Sequence, residues 1–499
     1  MKVRSRYRPG AASLEWAEEK PQTSAGFRLG QTWLPVAAAA LTLALLISLL
    51  SPWGNDDPYI TYRYASNLLA GHGFVYNVGE RILSTTAPLY ALLLAALGLV
   101  WPDLPLLSNV LSAVAVVLGA TFLFLWSRKR GQPAVGLLAA LVLSLCPSLL
   151  TTFGAETCTY VMLILAGLYA YDRCKWNAAA LALALAAMVR PDGLIAAAAL
   201  ALYHLVRRQP VPWRPMGLYT ALVGAWYTGL WLYFGSPVPV TLLAKQQQGI
   251  MTQSTGFAAG FVKVLQRQLQ LPLYWLHGPL ALAGLVQVLR NARYWLPLLL
   301  WTALYFLAYT LLGVSSYVWY YAPLAPAFAV LVTEGAVWLL RSLARARAPQ
   351  ALRIGLAGLL LVAVLIPLLG GAIGAGWWSD PRLEVYQEIG QWLESHTPQG
   401  ASVGALEVGI IGYYARRTVV DFAGLIQPNV ARQMTPTSTY NDTAAWTIQT
   451  YRPDYVLLHQ PAFAGLSESD WFRHAYRPLR EFTNGEVLWL VMYQRSGSP

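Results

Sequence analysis

Asn55-Asp56-Asp57-Pro58-Tyr59-Ile60-Thr61-Tyr62-Arg63-Tyr64, running on to Gly71-His72-Gly73-Phe74-Val75-Tyr76-Asn77, joins a pair of carboxylates to an aromatic and glycine-rich segment. It follows directly on an apolar run at 34–50, which is long enough to cross a bilayer. Two adjacent carboxylates therefore stand at a membrane surface, where ionisable groups are costly and ordinarily have a task. The aromatic and basic residues after them are spaced like a helix lying on the membrane.

The rest of the chain fits that setting. It is 56% hydrophobic and only 12% charged, against about 25% charged in a soluble domain, so the class is a polytopic α-helical membrane protein. The net charge of +12 sits in short loops between apolar runs, where it reports topology and not nucleic-acid binding. Cys146, Cys158 and Cys174 lie in or beside predicted spans without metal-ligand or CxxC spacing, so no disulfide framework is expected.

Residues 1–33 carry Lys2, Arg4, Arg6, Arg8, Lys20 and Arg28 and read as a cytoplasmic tail, followed by an uncleaved first span. The first outer loop, 53–105, then faces the cell exterior or periplasm. Within it, 87–100 is short for a span and reads as a re-entrant or interfacial helix. Further spans are expected at 106–126, 133–150, 157–171, 216–234, 272–290, 293–312, 321–341 and 352–374. Residues 177–206 form two short helices broken by Arg190-Pro191-Asp192-Gly193. About eleven crossings place every strongly basic short loop inside and the C-terminus outside. The expected organisation is a tail at 1–33, a membrane domain at 34–374 and an extracytoplasmic α/β domain at 375–499, all in a cytoplasmic (inner) membrane. In the last domain, 384–394 reads as a helix and 402–406, 418–422, 454–458 and 487–493 as strands.

Each predicted outer loop carries a candidate polar group: Asp56 and Asp57, Glu156, Arg190 and Asp192, Lys245, and the run Tyr317, Trp319, Tyr320 and Tyr321. A cavity on that face would gather them. Moving a sugar from a phosphate-linked donor to a hydroxyl needs a base for the acceptor proton, which a carboxylate supplies. It also needs positive charge at the departing phosphate, which Arg or Lys supplies. Outside the cytoplasm nucleotide sugars are absent, so a lipid-phosphate sugar is the expected donor. Each signal alone has a plainer explanation: a polar cap for Asp56 and Asp57, a first-turn carboxylate for Glu156, a turn at Arg190, an aromatic belt at 317–321.

The string Asp56 to Asn77 resembles the first-loop signature of a GT-C glycosyltransferase branch that includes the mycobacterial terminal arabinofuranosyltransferases. More distantly, it is similar to protein O-mannosyltransferases and the lipid A aminoarabinose transferase. Gly79-Glu80-Arg81, Thr86-Ala87-Pro88-Leu89, Gly154-Ala155-Glu156-Thr157, Arg190-Pro191-Asp192-Gly193, Pro239-Val240-Thr241-Leu242-Leu243-Ala244-Lys245 and Trp319-Tyr320-Tyr321 extend it. Ala87 departs from the Asn more often found there. In the last domain, Glu407-Val408-Gly409-Ile410-Ile411-Gly412-Tyr413-Tyr414 and Asp421-Phe422-Ala423-Gly424-Leu425-Ile426 resemble the same branch.

The resemblance implies a GT-C fold, a polyprenyl-phosphate sugar donor and a glycan, lipid or protein acceptor. It implies a catalytic base in the pair Asp56 and Asp57, with Glu156 as a second acid. Donor and phosphate contacts fall to Arg63, Arg190, Lys245, Tyr320 and Tyr321, and further pocket candidates are His72, Asp192, Trp319 and Glu407. If a divalent ion is used, Mg or Mn on Asp56, Asp57 and Glu156 is expected. Two other classes compete: a transporter or flippase, which predicts charges deep in helices and repeated halves, and a scaffold, which tolerates loss of both Asp residues.

Overall fold

The structure, a computed structural model, describes residues 55–252, 254–346, 349–377, 380–485 and 489–497. The tail at 1–33 and the first expected crossing at 34–50 lie outside the described residues.

The described chain opens with α1 (Pro58–Leu69) and α2 (Pro88–Gly98), joined by the glycine-rich loop. A proline stands in the first turn of each, where its missing N–H costs nothing and its fixed φ suits the helix. The apolar bundle follows: α3 (Leu104–Lys129), α4 (Pro133–Ser144), α5 (Thr157–Asp172), α6 (Trp176–Val189), α7 (Gly193–Val206) and α8 (Trp213–Phe234). Two amphipathic helices, α9 (Val240–Ile250) and α10 (Phe257–Leu269), precede α11 (His277–Arg290), α12 (Leu296–Leu312), α13 (Ala325–Arg345) and α14 (Gln350–Trp377).

Among the described residues, five helical segments are long and apolar enough to cross a membrane, and four apolar helices, α2, α4, α6 and α7, are shorter. The bundle core is aromatic at its centre. Trp126, Trp295 and Trp301 are fully buried, and the Trp126 and Trp295 rings lie 4.7 Å apart. The span expected at 133–150 is interrupted. Cys146 is extended before Pro147, because the proline ring disfavours helical backbone in the residue ahead of it, and a separate short turn begins there.

The C-terminal part is a five-stranded sheet. β1 (Ser402–Ala405), β2 (Thr418–Asp421), β3 (Tyr455–His459), β4 (Tyr476–Thr483) and β5 (Trp489–Arg495) lie in the order β2-β1-β3-β5-β4. β1 pairs in parallel with both β2 and β3, and β5 pairs antiparallel with β3 and β4. The helices α15 (Arg382–His396), α16 (Ile410–Ala415) and α17 (Tyr440–Tyr451) pack around it. Four strands fall where the residue pattern predicts them. β4 is the one not predicted: its middle residues are exposed and include Arg477, Arg480 and Glu481, so it is a charged edge strand with no apolar alternation.

The reading of α1 as a surface helix is corrected. Pro58 through Ala65 are all buried, because α1 is wedged between α2 and α3 on one side and α16 of the sheet domain on the other. Tyr59 meets Tyr413 with ring centroids 5.5 Å apart, and the Tyr62 hydroxyl donates to the Gly154 carbonyl at 2.5 Å.

Candidate active site

A cavity of about 810 Å³ lies beside α1. Its polar wall carries Asp57, Glu156, Arg190, Asp192, Lys245, Trp319 and Tyr320, with Thr61, Thr85 and Thr157 between them. Leu194, Ile195, Leu242, Leu311, Leu312 and Val314 form the apolar remainder. A mainly apolar space with a few convergent charges is the usual form of a small-molecule site.

Lys245 comes from α9, whose buried face is Thr241, Ala244, Lys245 and Gln248, the three-and-four spacing of one helical stripe. Its ammonium stands 3.8 Å from an Asp57 carboxylate oxygen and 3.8 Å from the centre of the Tyr317 ring. Burial pushes the ammonium pKa down. Asp57, with the Tyr317 and Tyr320 hydroxyls, more than reverses that and holds it above the ordinary lysine value. Lys245 is therefore a charged, buried cation, with 9% of its side chain exposed. Asp57 is the more open partner at 39%.

Arg190 is placed differently. It is the extended residue that ends α6, and its fork grips Asp192 through Nε to Oδ1 at 3.1 Å and Nη2 to Oδ2 at 2.8 Å. It also donates to Thr157 Oγ1 and the Tyr309 hydroxyl, both at 3.0 Å, and stands 3.6 Å from Glu156. Tyr309 in turn donates to Asp192 at 2.8 Å. The cluster ties α5, α6, α7 and α12 together at the cavity wall. Burial raises the Glu156 carboxyl pKa and Arg190 only partly restores it. With two carboxylates already on Arg190, Lys245 is the lining cation with one carboxylate at salt-bridge distance.

Five sequence candidates do not reach the cavity. Asp56 turns away, accepting from the backbone N–H groups of Gly409 at 3.0 Å and Ile410 at 2.7 Å. Arg63, expected to hold phosphate, spends its guanidinium on three carbonyls: Tyr76 at 2.8 Å, Arg417 at 2.5 Å, and Gly412. That expectation is corrected, because a guanidinium buried on main-chain oxygens has no fork to offer a ligand. Tyr321 donates to the Phe257 carbonyl at 2.7 Å. Glu407 pairs with His459 at 2.6 Å in the sheet domain. His72 is exposed on its loop.

The ion expected on Asp56, Asp57 and Glu156 does not fit this geometry. Asp56 is bound to the sheet domain, and among the described residues no three His, Cys, Asp or Glu side chains converge as a metal site.

The sequence reading missed Tyr309, Tyr227 and Leu425, all of which line the cavity. Tyr309 sits near the end of an apolar helix, where aromatic residues are common for interfacial reasons, so it carried no distinct signal. Leu425 brings the sheet domain to the cavity wall. Gln248 secures the approach, donating to the Ala423 carbonyl at 3.1 Å and accepting from Tyr317 at 3.0 Å.

The chain is similar in structure to ArnT from Cupriavidus metallidurans. The apo form gives a TM-score of 0.63 at 14% identity, over 93% of this chain and 98% of that one. The form bound to undecaprenyl phosphate gives 0.60 at 14%, over 94% and 98%. It is also similar to the Archaeoglobus fulgidus oligosaccharyltransferase in complex with Zn and sulfate, at 0.58 and 14%, over 90% of this chain and 72% of that one. These likenesses show a polytopic GT-C fold with a C-terminal α/β domain. Residues 378–496 match a family described as a domain of unknown function (DUF8728). No curated protein matches the chain.

Proposed function

We propose that this protein transfers a sugar from a polyprenyl-phosphate donor to an acceptor hydroxyl on the outer face of the inner membrane. The reading is carried by one juxtaposition: a carboxylate and a buried ammonium 3.8 Å apart on the wall of a cavity that is otherwise mostly apolar. The shared fold of an ArnT bound to undecaprenyl phosphate supports the class of donor.

In this mechanism Asp57 accepts the proton of the acceptor hydroxyl. The acceptor oxygen attacks the anomeric carbon, and the bond from that carbon to the phosphate oxygen breaks. The electron pair leaves on polyprenyl phosphate, whose charge Lys245 stabilises. Inversion at the anomeric carbon follows from direct displacement. Arg190 holds Glu156 and Asp192 on the wall, where they face sugar hydroxyls, and Trp319 and Tyr320 flank the donor. The apolar lining takes the first isoprene units.

The test is release of polyprenyl phosphate from a panel of polyprenyl-phosphate sugars by purified protein supplied with envelope glycan extract. Acceptor-dependent release that Asp57→Asn abolishes, while the variant still binds donor, supports the transferase and names its donor. Wild-type protein that binds donor but releases nothing with any acceptor fraction overturns it in favour of a carrier or scaffold.

A further inference from the structure

The acidic pair is split between two tasks. Asp57 has helical backbone angles as the residue capping α1, and successive side chains there point about 100° apart. One carboxylate faces the cavity while its neighbour faces the sheet domain. The Asp56 carboxylate receives the N–H groups of Gly409 and Ile410 at the start of α16. Its own main-chain carbonyl lies so close to Gly409 that a Cβ there would overlap it.

The surrounding loop is held in the same way. Arg63 donates to the Gly412 and Arg417 carbonyls, and the Tyr76 hydroxyl donates to the Val408 carbonyl. The Asn77 amide donates to the Val419 carbonyl at 2.9 Å and accepts from the Val419 N–H at 3.0 Å. A Cβ at Gly412 would overlap the Tyr76 hydroxyl. The glycines of the Glu407-Val408-Gly409-Ile410-Ile411-Gly412 run are thus the price of close backbone approach to the first loop.

We infer that Asp56 is a positioning residue: anchored by the main chain of the C-terminal domain, it sets the direction in which Asp57 is presented to Lys245, and the domain at 378–496 serves the site as its scaffold and part of its wall. The inference rests on the reading of Asp57 as the base. It differs from a plain stability role in what it affects, because donor binding depends on Lys245 and the apolar lining, which Asp56 does not touch.

The experiment compares full-length wild type, Asp56→Asn, Asp56→Ala, Gly409→Ala and Asp57→Asn in detergent. It reads kcat and donor KM alongside hydrogen exchange of the Gly409 and Ile410 amides. Expected are a fall in kcat of about 100-fold for Asp56→Ala and Gly409→Ala, and about 10-fold for Asp56→Asn, which keeps one acceptor oxygen. Donor KM stays within about twofold and both amides exchange faster. Asp57→Asn loses turnover with those amides still protected.

Wild-type kcat in Asp56→Ala with the amides deprotected overturns the inference while leaving Asp57 as the base. Lost turnover in Asp56→Ala with the amides still protected also overturns it, since Asp56 then acts in the chemistry itself. Should Asp56→Ala or Gly409→Ala fail to fold, Asp56→Asn decides by the same split. Wild-type protein without turnover removes the underlying reading, and the inference with it.

Discussion

At the scale of single residues, the adjacent carboxylates and the two basic residues of the cavity divide their work by environment. Asp57 and Lys245 are the pair with room for a ligand. Asp57→Asn is expected to cut turnover by about 10²–10⁴, the usual worth of a positioned base, with donor affinity unchanged in a binding assay. Lys245→Ala is expected to weaken donor binding by about 10–100-fold, the worth of one hydrogen bond to a charged group, measured by titration with polyprenyl phosphate. Asp56 makes a separate prediction about pH. Burial, with Asp57 and Glu407 nearby, pushes its carboxyl from 3.8 up to about 7, against the two N–H bonds that pull it down. The phenols of Tyr59, Tyr76 and Tyr386 also face it. A carboxyl whose pKa rises on folding stabilises the fold fully below its unfolded value and loses that contribution as pH rises through its folded value. The stability of wild type relative to Asp56→Asn is therefore expected to fall between about pH 4 and pH 7 and then level off. Thermal unfolding of both proteins across that range reads it, and parallel curves would refute it.

At the scale of elements, α1 behaves as a splint between the membrane bundle and the sheet domain. Its tyrosines and Arg63 face protein on both sides: the Tyr62 and Tyr64 hydroxyls donate to the Gly154 and Ile82 carbonyls, and Arg63 to three more. Arg63→Ala takes a donor from three carbonyls, of which Tyr76 keeps the Asn67 amide and Gly412 keeps the Arg416 N–H, and removes the stacking of the guanidinium 4.6 Å from the centre of the Tyr76 ring. An orphaned buried acceptor costs about 1–3 kcal/mol, so a destabilisation of that order is expected in thermal unfolding, with Arg63→Lys recovering little because one ammonium cannot span the three oxygens. The Arg190 turn obeys the same logic. Arg190→Lys breaks the two-point grip on Asp192, and the expected result is loss of turnover at near-normal expression.

At the scale of the whole molecule, the sheet domain is continuous with the site. It reaches the cavity through Leu425 and holds the first loop through the 407–412 run. A chain ending at residue 377 would take Tyr413 away from the rings of Tyr59 and Tyr62. It is expected to show new protease cleavage within 56–77 and no donor turnover, read by limited proteolysis and the release assay. Recovery of full turnover in that truncated chain would show the domain to be dispensable.

Composition and hydrophobic periodicity were sufficient for the membrane class, the main helices and the change of texture near residue 377, because apolar runs and charge depletion follow directly from the cost of burying polar groups in lipid. They also assembled most of the cavity's charged wall, since Asp57, Glu156, Arg190 and Asp192 stand at ends or turns of apolar segments and Lys245 in the amphipathic stretch that follows one. The assignment of each charge needed the tertiary structure. Asp56 and Asp57 are neighbours with the same chemistry, and only the packing of α16 against α1 sends one to main-chain N–H groups and the other to Lys245. Arg63 and Lys245 are both cations beside aromatic residues, and only the partners brought from some 350 residues away along the chain turn the first into a clamp. Such partners leave no local pattern, because hydrogen bonds to main-chain carbonyls are blind to the identity of the residues that supply them.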